Sequence, residues 1–148
     1  MKKALIIFGS TTGNTETMSE NVQQALVSHD MDVDIQAVTD VTPEALTGPH
    51  DVVLLGCPAY GDEEIELQED FEEFYDKMDG IKLDGKKFAV FAPGDSSYEH
   101  FCGSVDMLAE KMSALGGELV APGLKIDGDP DDAIDDTREW ADSIAGNL

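Results

Sequence analysis

The sequence predicts an α/β fold in which a five-stranded parallel sheet carries helices on both faces, as one domain over residues 1–148. Apolar stretches alternate along the chain with segments of helical period. The clearest apolar stretches are runs of consecutive apolar residues rather than an alternation with polar ones, as expected of strands that are buried on both faces. Strands and helices that alternate in this way form a doubly wound sheet, and a chain of 148 residues can bury its own core.

The predicted strands follow the apolar stretches in chain order. They are ALIIF at 4–8, VDIQAV at 33–38, VVLL at 52–55, FAVFA at 88–92 and LVAPGLKI at 119–126. A short connector is expected near residues 43–47, between the second and third strands.

Four helices are predicted between and after these strands, each with an apolar stripe that faces the sheet. The stripes are Met18, Val22, Ala25 and Leu26 in the first; Phe71, Phe74, Tyr75 and Met78 in a weaker pattern over 63–78; Val105, Leu108, Ala109, Met112 and Leu115 in the third; and Ile134, Ala141 and Ile144 in the last. Gly116 and Gly117 are expected to end the third helix, while Asp129 as N-cap and Pro130 begin the last.

Three loops leave the carboxyl ends of the predicted strands. They are GSTTGNT at 9–15, GCPAYGDEE at 56–64 and PGDSSYEHFCG at 93–103. In sheets of this kind a ligand binds beyond the carboxyl ends, where the strand order reverses. We therefore expect the three loops to meet and to form one binding site.

The first loop has the chemistry of a phosphate site without a cation. It offers the hydroxyls of Ser10, Thr11, Thr12 and Thr15 and the Asn14 amide, at the start of a helix that can hold an anion by itself. The nucleotide-triphosphate pattern fails because Asn14 replaces its lysine, and the dinucleotide pattern fails because residue 11 is threonine. A single phosphate monoester fits best, and a hydroxyl-rich helix cap is the alternative.

The other two loops each present one aromatic ring among small residues. Tyr60 and Tyr98 could enclose a planar ligand, although either could instead fill core or surface. Gly61 can adopt positive φ and turn its peptide toward a ligand, or it is a plain turn glycine. Cys57 is not a phosphatase nucleophile, because Glu63 stands where that motif needs arginine.

Together these loops resemble those of short-chain flavodoxins, which carry FMN. The matching motifs are GSTTGNTE, YGD at 60–62, GDSSYE at 94–99 and FCG at 101–103. The resemblance implies a flavodoxin-like three-layer sandwich with strand order 2-1-3-4-5. The stretch 118–128 runs without the insertion that long-chain members carry in the last strand, which matches the short-chain type.

The resemblance also implies roles for individual residues. Ser10, Thr11, Thr12, Gly13, Asn14 and Thr15 would hold the FMN phosphate; Tyr60 and Tyr98 would cover the two flavin faces; Gly61 would accept a hydrogen bond from N5–H; and Pro58, Ala59, Asp62, Pro93, Gly94, Asp95, Phe101 and Cys102 would complete the site. Pro58 replaces a hydroxyl residue, so we expect FMN binding to persist but to weaken. Tyr60 replaces a frequent tryptophan, which is expected to alter the packing against the flavin and its potentials.

The function that the resemblance implies is electron transfer rather than catalysis. We expect a low-potential one-electron carrier that cycles FMN between neutral semiquinone and anionic hydroquinone. Carboxylates near the flavin edge would disfavour the second reduction; they are Asp62, Glu63, Glu64, Glu66, Asp95 and Glu99. An FMN-dependent NAD(P)H:quinone reductase is the alternative, whereas a receiver domain is excluded because Gly56-Cys57 replaces its phosphorylated aspartate.

The net charge of −23 indicates which kinds of partner the protein attracts and which it repels. The stretch DEEIELQED at 62–70 carries six carboxylates, so nucleic acid and anionic membranes would be repelled and basic-faced redox proteins attracted; solubility or salt adaptation is the alternative. Reductases, oxidoreductases, hydrogenases or cytochromes are the expected partner types. The chain is expected to be a cytoplasmic monomer with reduced thiols.

The three histidines do not indicate a metal site, because His29, His50 and His100 show no metal spacing. His100 either couples the redox potential to pH or has no role.

Overall fold

The structure, a computed structural model, describes residues 2–9, 14–57, 59–60, 66–67, 69–94 and 103–148. Its strands are β1 Lys3–Phe8, β2 Asp32–Ala37, β3 Val52–Gly56, β4 Ala59–Tyr60, β5 Glu66–Leu67, β6 Lys87–Gly94, β7 Glu118–Leu119 and β8 Leu124–Asp127. The main sheet is parallel with the order β2-β1-β3-β6, and both β7 and β8 pair with the outer side of β6. The predicted order 2-1-3-4-5 is therefore confirmed, with a fifth strand in two pieces.

The helices are α1 Asn14–Val27, α2 Glu69–Lys77, α3 Gly103–Ala114 and α4 Ile134–Gly146. Two 3₁₀ turns, Val38–Asp40 and Pro43–Thr47, form the predicted connector between β2 and β3. No helix in the described part of the chain is long and apolar enough to cross a membrane.

The sheet separates two apolar cores. Alternate residues of β1, β3 and β6 face α2 and α3 on one side, and the intervening residues face α1 and α4 on the other. All five residues of β3 are buried, which explains why its sequence is apolar without alternation. The predicted stripe of α1 is buried throughout, and so are Phe71 and Phe74 of α2 and Met78, which directly follows α2.

The last strand is interrupted, contrary to the expectation of one continuous strand. Leu119 pairs with Phe88 and Leu124 with Phe91, so four residues on this strand face two on β6. Pro122 lies in the excess segment and cannot donate to the ladder, while its carbonyl accepts a hydrogen bond of 2.6 Å from Trp140 Nε1. The segment therefore bulges away from β6 between β7 and β8.

The second helix begins later than predicted. The pattern suggested a helix from residue 63, but Glu66–Leu67 pairs antiparallel with Ala59–Tyr60 and α2 starts at Glu69. The alternation of Ile65 and Leu67 with glutamates explains the difference, because it has the period of a strand. Residues 61–65 lie outside the described ranges.

The last helix has the predicted cap but starts with a tighter turn. Asp129 Oδ1 accepts a hydrogen bond of 2.9 Å from the Asp131 N–H, and Pro130–Ala133 forms a 3₁₀ turn before α4. Ala141 and Ile144 are fully buried as predicted, while Ile134 is only partly buried. Trp140, which the predicted stripe omitted, is buried with its ring edge-on to Phe91.

Gly56 ends β3 where there is no space for a side chain. A Cβ at this position would lie 2.4 Å from Cε2 of the Phe91 ring on β6. Contacts this short require the ring to move within a close-packed core. Gly56 therefore allows Phe91 to fill the sheet surface directly beneath the start of the second loop.

We expect Gly56→Ala to lower the free energy of unfolding of the FMN-free protein by about 1–3 kcal/mol, because the added methyl overpacks the core. Urea unfolding monitored by the fluorescence of Trp140, the single tryptophan, provides the measurement. Gly146→Ala is the matched control, since a Cβ at Gly146 would meet nothing within 4 Å and the helix gains propensity. An unchanged midpoint for Gly56→Ala would contradict the packing argument.

Candidate functional site

The strand register brings the starts of the three loops to one edge of the sheet. Phe8 pairs with Gly56, and Gly56 with Phe91. The Gly9 N–H donates to the Gly56 carbonyl at 2.9 Å, so the first loop leaves directly beside the second. Strand β6 continues to Gly94 before the third loop begins. The carboxyl edges of β1, β3 and β6 therefore form one platform.

Most of the predicted cofactor residues lie outside the described residues. These are Ser10, Thr11, Thr12, Gly13, Pro58, Gly61, Asp62, Asp95, Tyr98, Phe101 and Cys102. Among the others, Asn14 is the first residue of α1, Ala59 and Tyr60 form β4, and Gly94 ends β6. Thr15 and Pro93 are described in full, and both are buried. Their roles remain predictions, supported by the platform that the strands create.

Thr15 is a buried threonine in the first turn of α1. The residue is 1% exposed, and its Oγ1 makes no hydrogen bond to any group in the described part of the chain. A buried polar group left unpaired costs about 1–3 kcal/mol, so proteins rarely keep one without a use. A ligand oxygen at the first loop would supply the missing partner.

The position of Thr15 adds a second attraction for an anion. It is the second residue of α1, where the backbone N–H groups have no partner within the helix. The helix dipole places roughly half a positive charge at this end. Hydroxyl, amides and dipole together can hold a phosphate at the carboxyl edge of β1.

Ser19 supports this arrangement and was not predicted from the sequence. It is fully buried, and its hydroxyl donates to the Thr15 carbonyl at 2.7 Å. The bond fixes the first turn of α1 just below the unpaired Thr15 hydroxyl. The available signal was the spacing of four residues, which places two hydroxyl residues on one helix face.

The elements that carry the loops are tied to one another by side chains. Lys111 of α3 donates to Asp79 beyond α2 and lies 4.8 Å from the centre of the Tyr75 ring. The hydrogen bond to Asp79 raises the pKa of Lys111 above its ordinary value. On the other face of the sheet, Asn21 of α1 donates to Asp131 at 3.1 Å. Both helix pairs that flank the loops are thus linked.

The described part of the carboxyl edge is acidic. Asp127 ends β8, and Asp129, Asp131 and Asp132 follow it, all exposed. Lys125, the nearest lysine along the chain, forms an ion pair of 3.0 Å with Asp106. Among the described residues, no group of three or more histidine, cysteine, aspartate or glutamate residues could hold a metal ion. The edge therefore presents carboxylates to an approaching molecule.

Known sequences resemble this chain along its full length. The family model described as Flavodoxin matches residues 6–140. The flavodoxin of Maridesulfovibrio salexigens is 46% identical over 148 residues, and that of Nitratidesulfovibrio vulgaris is 42% identical over 148 residues. Both alignments cover 100% of each chain.

Solved structures show the same likeness in three dimensions. The crystal structure of oxidised flavodoxin 2 from Bacillus cereus matches with a TM-score of 0.92 at 34% identity, over 99% of both chains. Oxidised flavodoxin 1 from the same species matches with a TM-score of 0.90 at 32% identity, also over 99% of both chains. Sequence and architecture therefore agree from end to end.

We expect Thr15→Val to weaken the binding of FMN, the phosphate-bearing ligand that the loops predict, by roughly 10- to 100-fold. The reason is that a hydrogen bond to a charged group contributes about 1.5–3 kcal/mol. The FMN-free protein should lose no stability, because the removed hydroxyl has no partner in the described part of the chain. FMN titration monitored by flavin fluorescence, together with urea unfolding, measures both effects.

Thr137→Val is the matched control for this variant. Thr137 is equally buried in a helix, but its hydroxyl donates to the Ala133 carbonyl at 3.0 Å, far from the loops. Its replacement should leave FMN affinity unchanged. If Thr15→Val binds FMN as tightly as the unaltered protein, the hydroxyl has no role in holding the phosphate.

Proposed function

The chain belongs to the flavodoxin family, and from that premise we propose that it is a low-potential one-electron carrier that cycles non-covalently bound FMN between neutral semiquinone and anionic hydroquinone. Flavodoxins are FMN-carrying electron-transfer proteins rather than enzymes, and this holds for the chain as a family member. Beyond membership of the family, we propose the pair of redox states between which FMN cycles, the residues that favour this pair, and the partner proteins. It treats residues 1–148 as one FMN-binding domain.

One observation carries the proposal to this chain's own residues. The buried hydroxyl of Thr15, which has no hydrogen-bond partner among the described residues, lies at the N-terminus of α1, beside the platform formed by β1, β3 and β6. A neutral donor set of this kind suits a phosphate monoester, which is what FMN presents. The residues in this region therefore fit the cofactor.

FMN supplies the redox chemistry, and the loops would control its surroundings. Ser10, Thr11, Thr12, Asn14 and Thr15 would bind the phosphate through hydroxyl and amide donors. Tyr60 and Tyr98 would cover the flavin faces and exclude water from them. The Gly61 carbonyl would accept a hydrogen bond from N5–H of the half-reduced cofactor. Glycine tolerates the positive φ that would turn this carbonyl toward the flavin.

Negative charge would set the low potential of the second electron. Asp62 and Asp95 are proposed to lie near the flavin edge, and a phosphate without a cationic partner adds to their field. Like charges repel more strongly where water is partly excluded, so a further negative charge on the flavin is disfavoured. The described carboxyl edge, with Asp127 and Asp129, has the same sign.

We expect Tyr98→Ala to raise the potential of the second one-electron reduction by about 20–60 mV. This range corresponds to a stacking free energy of roughly 0.5–1.5 kcal/mol. An electron-rich tyrosine ring stacks more favourably on a neutral flavin than on an anionic one, so the ring disfavours the second reduction. A redox titration followed by visible spectroscopy measures the potential. Tyr75→Phe is the control, because Tyr75 lies on α2 beneath Lys111. An unchanged potential in Tyr98→Ala would remove that ring from the mechanism.

We propose basic-faced redox proteins as partners, of the reductase, oxidoreductase, hydrogenase or cytochrome type. The net charge of −23 and the exposed aspartates Asp129, Asp131 and Asp132 support electrostatic steering to the carboxyl edge. The same charge disfavours nucleic acid and anionic membranes as partners. A cytoplasmic monomer is the form in which we propose that the protein acts.

We expect the association rate with a basic redox protein to fall about tenfold or more as salt rises from low to high ionic strength, because steering is screened. Stopped-flow electron transfer measures this rate. At low salt, Asp132→Asn should slow association more than Asp32→Asn, which removes the same charge at the opposite edge of the sheet. Equal effects of the two variants, or a rate independent of salt, would contradict docking at the carboxyl edge.

No observation favours the alternative of an NAD(P)H:quinone reductase. The matched relatives are flavodoxins aligned over their whole length, without added segments for a substrate pocket. The helices and strands of the described residues likewise follow the flavodoxin fold. The carrier function is therefore the one that the sequence and the fold support.

A further inference from the structure

Four of the nine lysine and arginine residues of this strongly acidic protein lie together at the opposite edge of the sheet, where Asp32 and Asp51 also lie. The chain has 9 lysine and arginine residues against 32 aspartate and glutamate residues. Lys2 and Lys3 lie at the start of β1, and Lys86 and Lys87 at the start of β6. These amino ends are neighbours because β1 and β6 both pair with β3.

A cavity of about 280 Å³ opens at this amino edge. It is lined by Lys2, His50, Asp51, Gly85, Lys86, Lys87 and Leu148. Three lysines and one aspartate give its lining side chains a charge of 3 − 1 = +2 with His50 neutral. The net charge of the lining side chains is thus opposite in sign to the net charge of the protein as a whole.

Lys86 is held in place by the backbone of the segment before β3. Its Nζ donates to the Gly48 carbonyl at 2.8 Å and also to the His50 carbonyl. The His50 ring is fixed in turn by a contact of 2.9 Å between its Nε2 and Asp34 Oδ2 on β2. Burial lowers the pKa of Lys86, and the Asp51 carboxylate offsets part of that effect. An anion beside the amine would favour its charged form.

The lysines have more donors than the protein uses. Three ammonium groups carry nine N–H donors; Lys86 uses two on carbonyls, and Lys87 uses one on the Asn147 carbonyl at 3.0 Å. Lys2 makes no side-chain hydrogen bond to the described residues. The Asp51 carboxylate accepts the Lys3 backbone N–H at 2.8 Å. Within the described part of the chain, six donors therefore remain around one small cavity.

We propose that this amino-edge cavity binds a free tetrahedral oxyanion of the phosphate or sulfate type. Such an ion offers several acceptor oxygens to the unused donors of Lys2, Lys86 and Lys87. A volume of about 280 Å³ accommodates one such group with some water, and is small for a nucleotide. The site is separate from the FMN phosphate loop, since the two lie at opposite ends of β1, and it does not depend on the proposed redox cycle.

The test is a titration of the FMN-loaded, ¹⁵N-labelled protein with inorganic phosphate, with sodium chloride adjusted to keep ionic strength constant. FMN occupies the first loop, so binding there is blocked. We expect saturable amide shifts at Lys2, Asp51 and residues 85–87. The absence of saturable shifts at these amides would overturn the proposal, as would shifts confined to the start of α1.

Two variants separate a specific site from general attraction. Lys2→Ala removes an exposed ammonium that has no partner among the described residues, and should raise the Kd for phosphate about three- to tenfold. Lys82→Ala removes the same charge from an exposed position outside the cavity lining, and should change the Kd less than about twofold. Equal effects of the two variants would show unspecific attraction and would contradict the site.

A third measurement distinguishes the free ion from a phosphate that belongs to a larger molecule. AMP replaces inorganic phosphate in the same titration of FMN-loaded protein. We expect AMP to bind more weakly, because its nucleoside does not fit within the cavity. If AMP binds more tightly than phosphate and shifts amides beyond the lining residues, the assignment to a free oxyanion is wrong.

Discussion

The parallel pairing of β1, β3 and β6 is the constraint on which the other features depend. The registers Phe8 with Gly56 and Gly56 with Phe91 end the central strands at one level, so three loops start side by side. The pairing also requires each strand to be buried on both faces, and helices on both sides meet this requirement. The position of the cofactor loops is thus a consequence of how the core is built.

Parallel strands also give the molecule two chemically different ends. Helices that return from the carboxyl edge begin there, with unpaired N–H groups that favour anions, and end at the amino edge with unpaired carbonyls. The Thr15 hydroxyl, unpaired as far as the described residues extend, follows the first tendency, and the hydrogen bond from Lys87 to the Asn147 carbonyl follows the second. At the carboxyl edge after β8, the Asp129 carboxylate accepts the free N–H of Asp131 and so caps the turn that leads into α4.

The fold was predictable because burial leaves a periodic trace in the sequence. The alternation of strands and helices, the stripe of α1 and the cap at Asp129 follow from apolar runs and capping residues, whereas the strand order was implied by the resemblance to short-chain flavodoxins. The break in the last strand did not follow, because LVAPGLKI is apolar on both sides of Pro122. The lysine cavity was missed because its residues come from distant parts of the chain and meet only in the fold, whereas the contact of Ser19 with Thr15 is local to α1 and left only the spacing of four residues as a signal.

The interrupted last strand has a consequence for how molecules meet one another. A sheet edge with a regular row of free N–H and C=O groups can pair with the edge of a second molecule and begin aggregation. Here the outer strand on one side of the sheet is divided into β7 and β8, of two and four residues, by a segment containing Pro122. The outer strand on the other side, β2, carries the charged Asp32 and Asp34. Neither outer strand of the main sheet, as far as the described residues extend, offers a long, uncharged template for pairing with a second molecule.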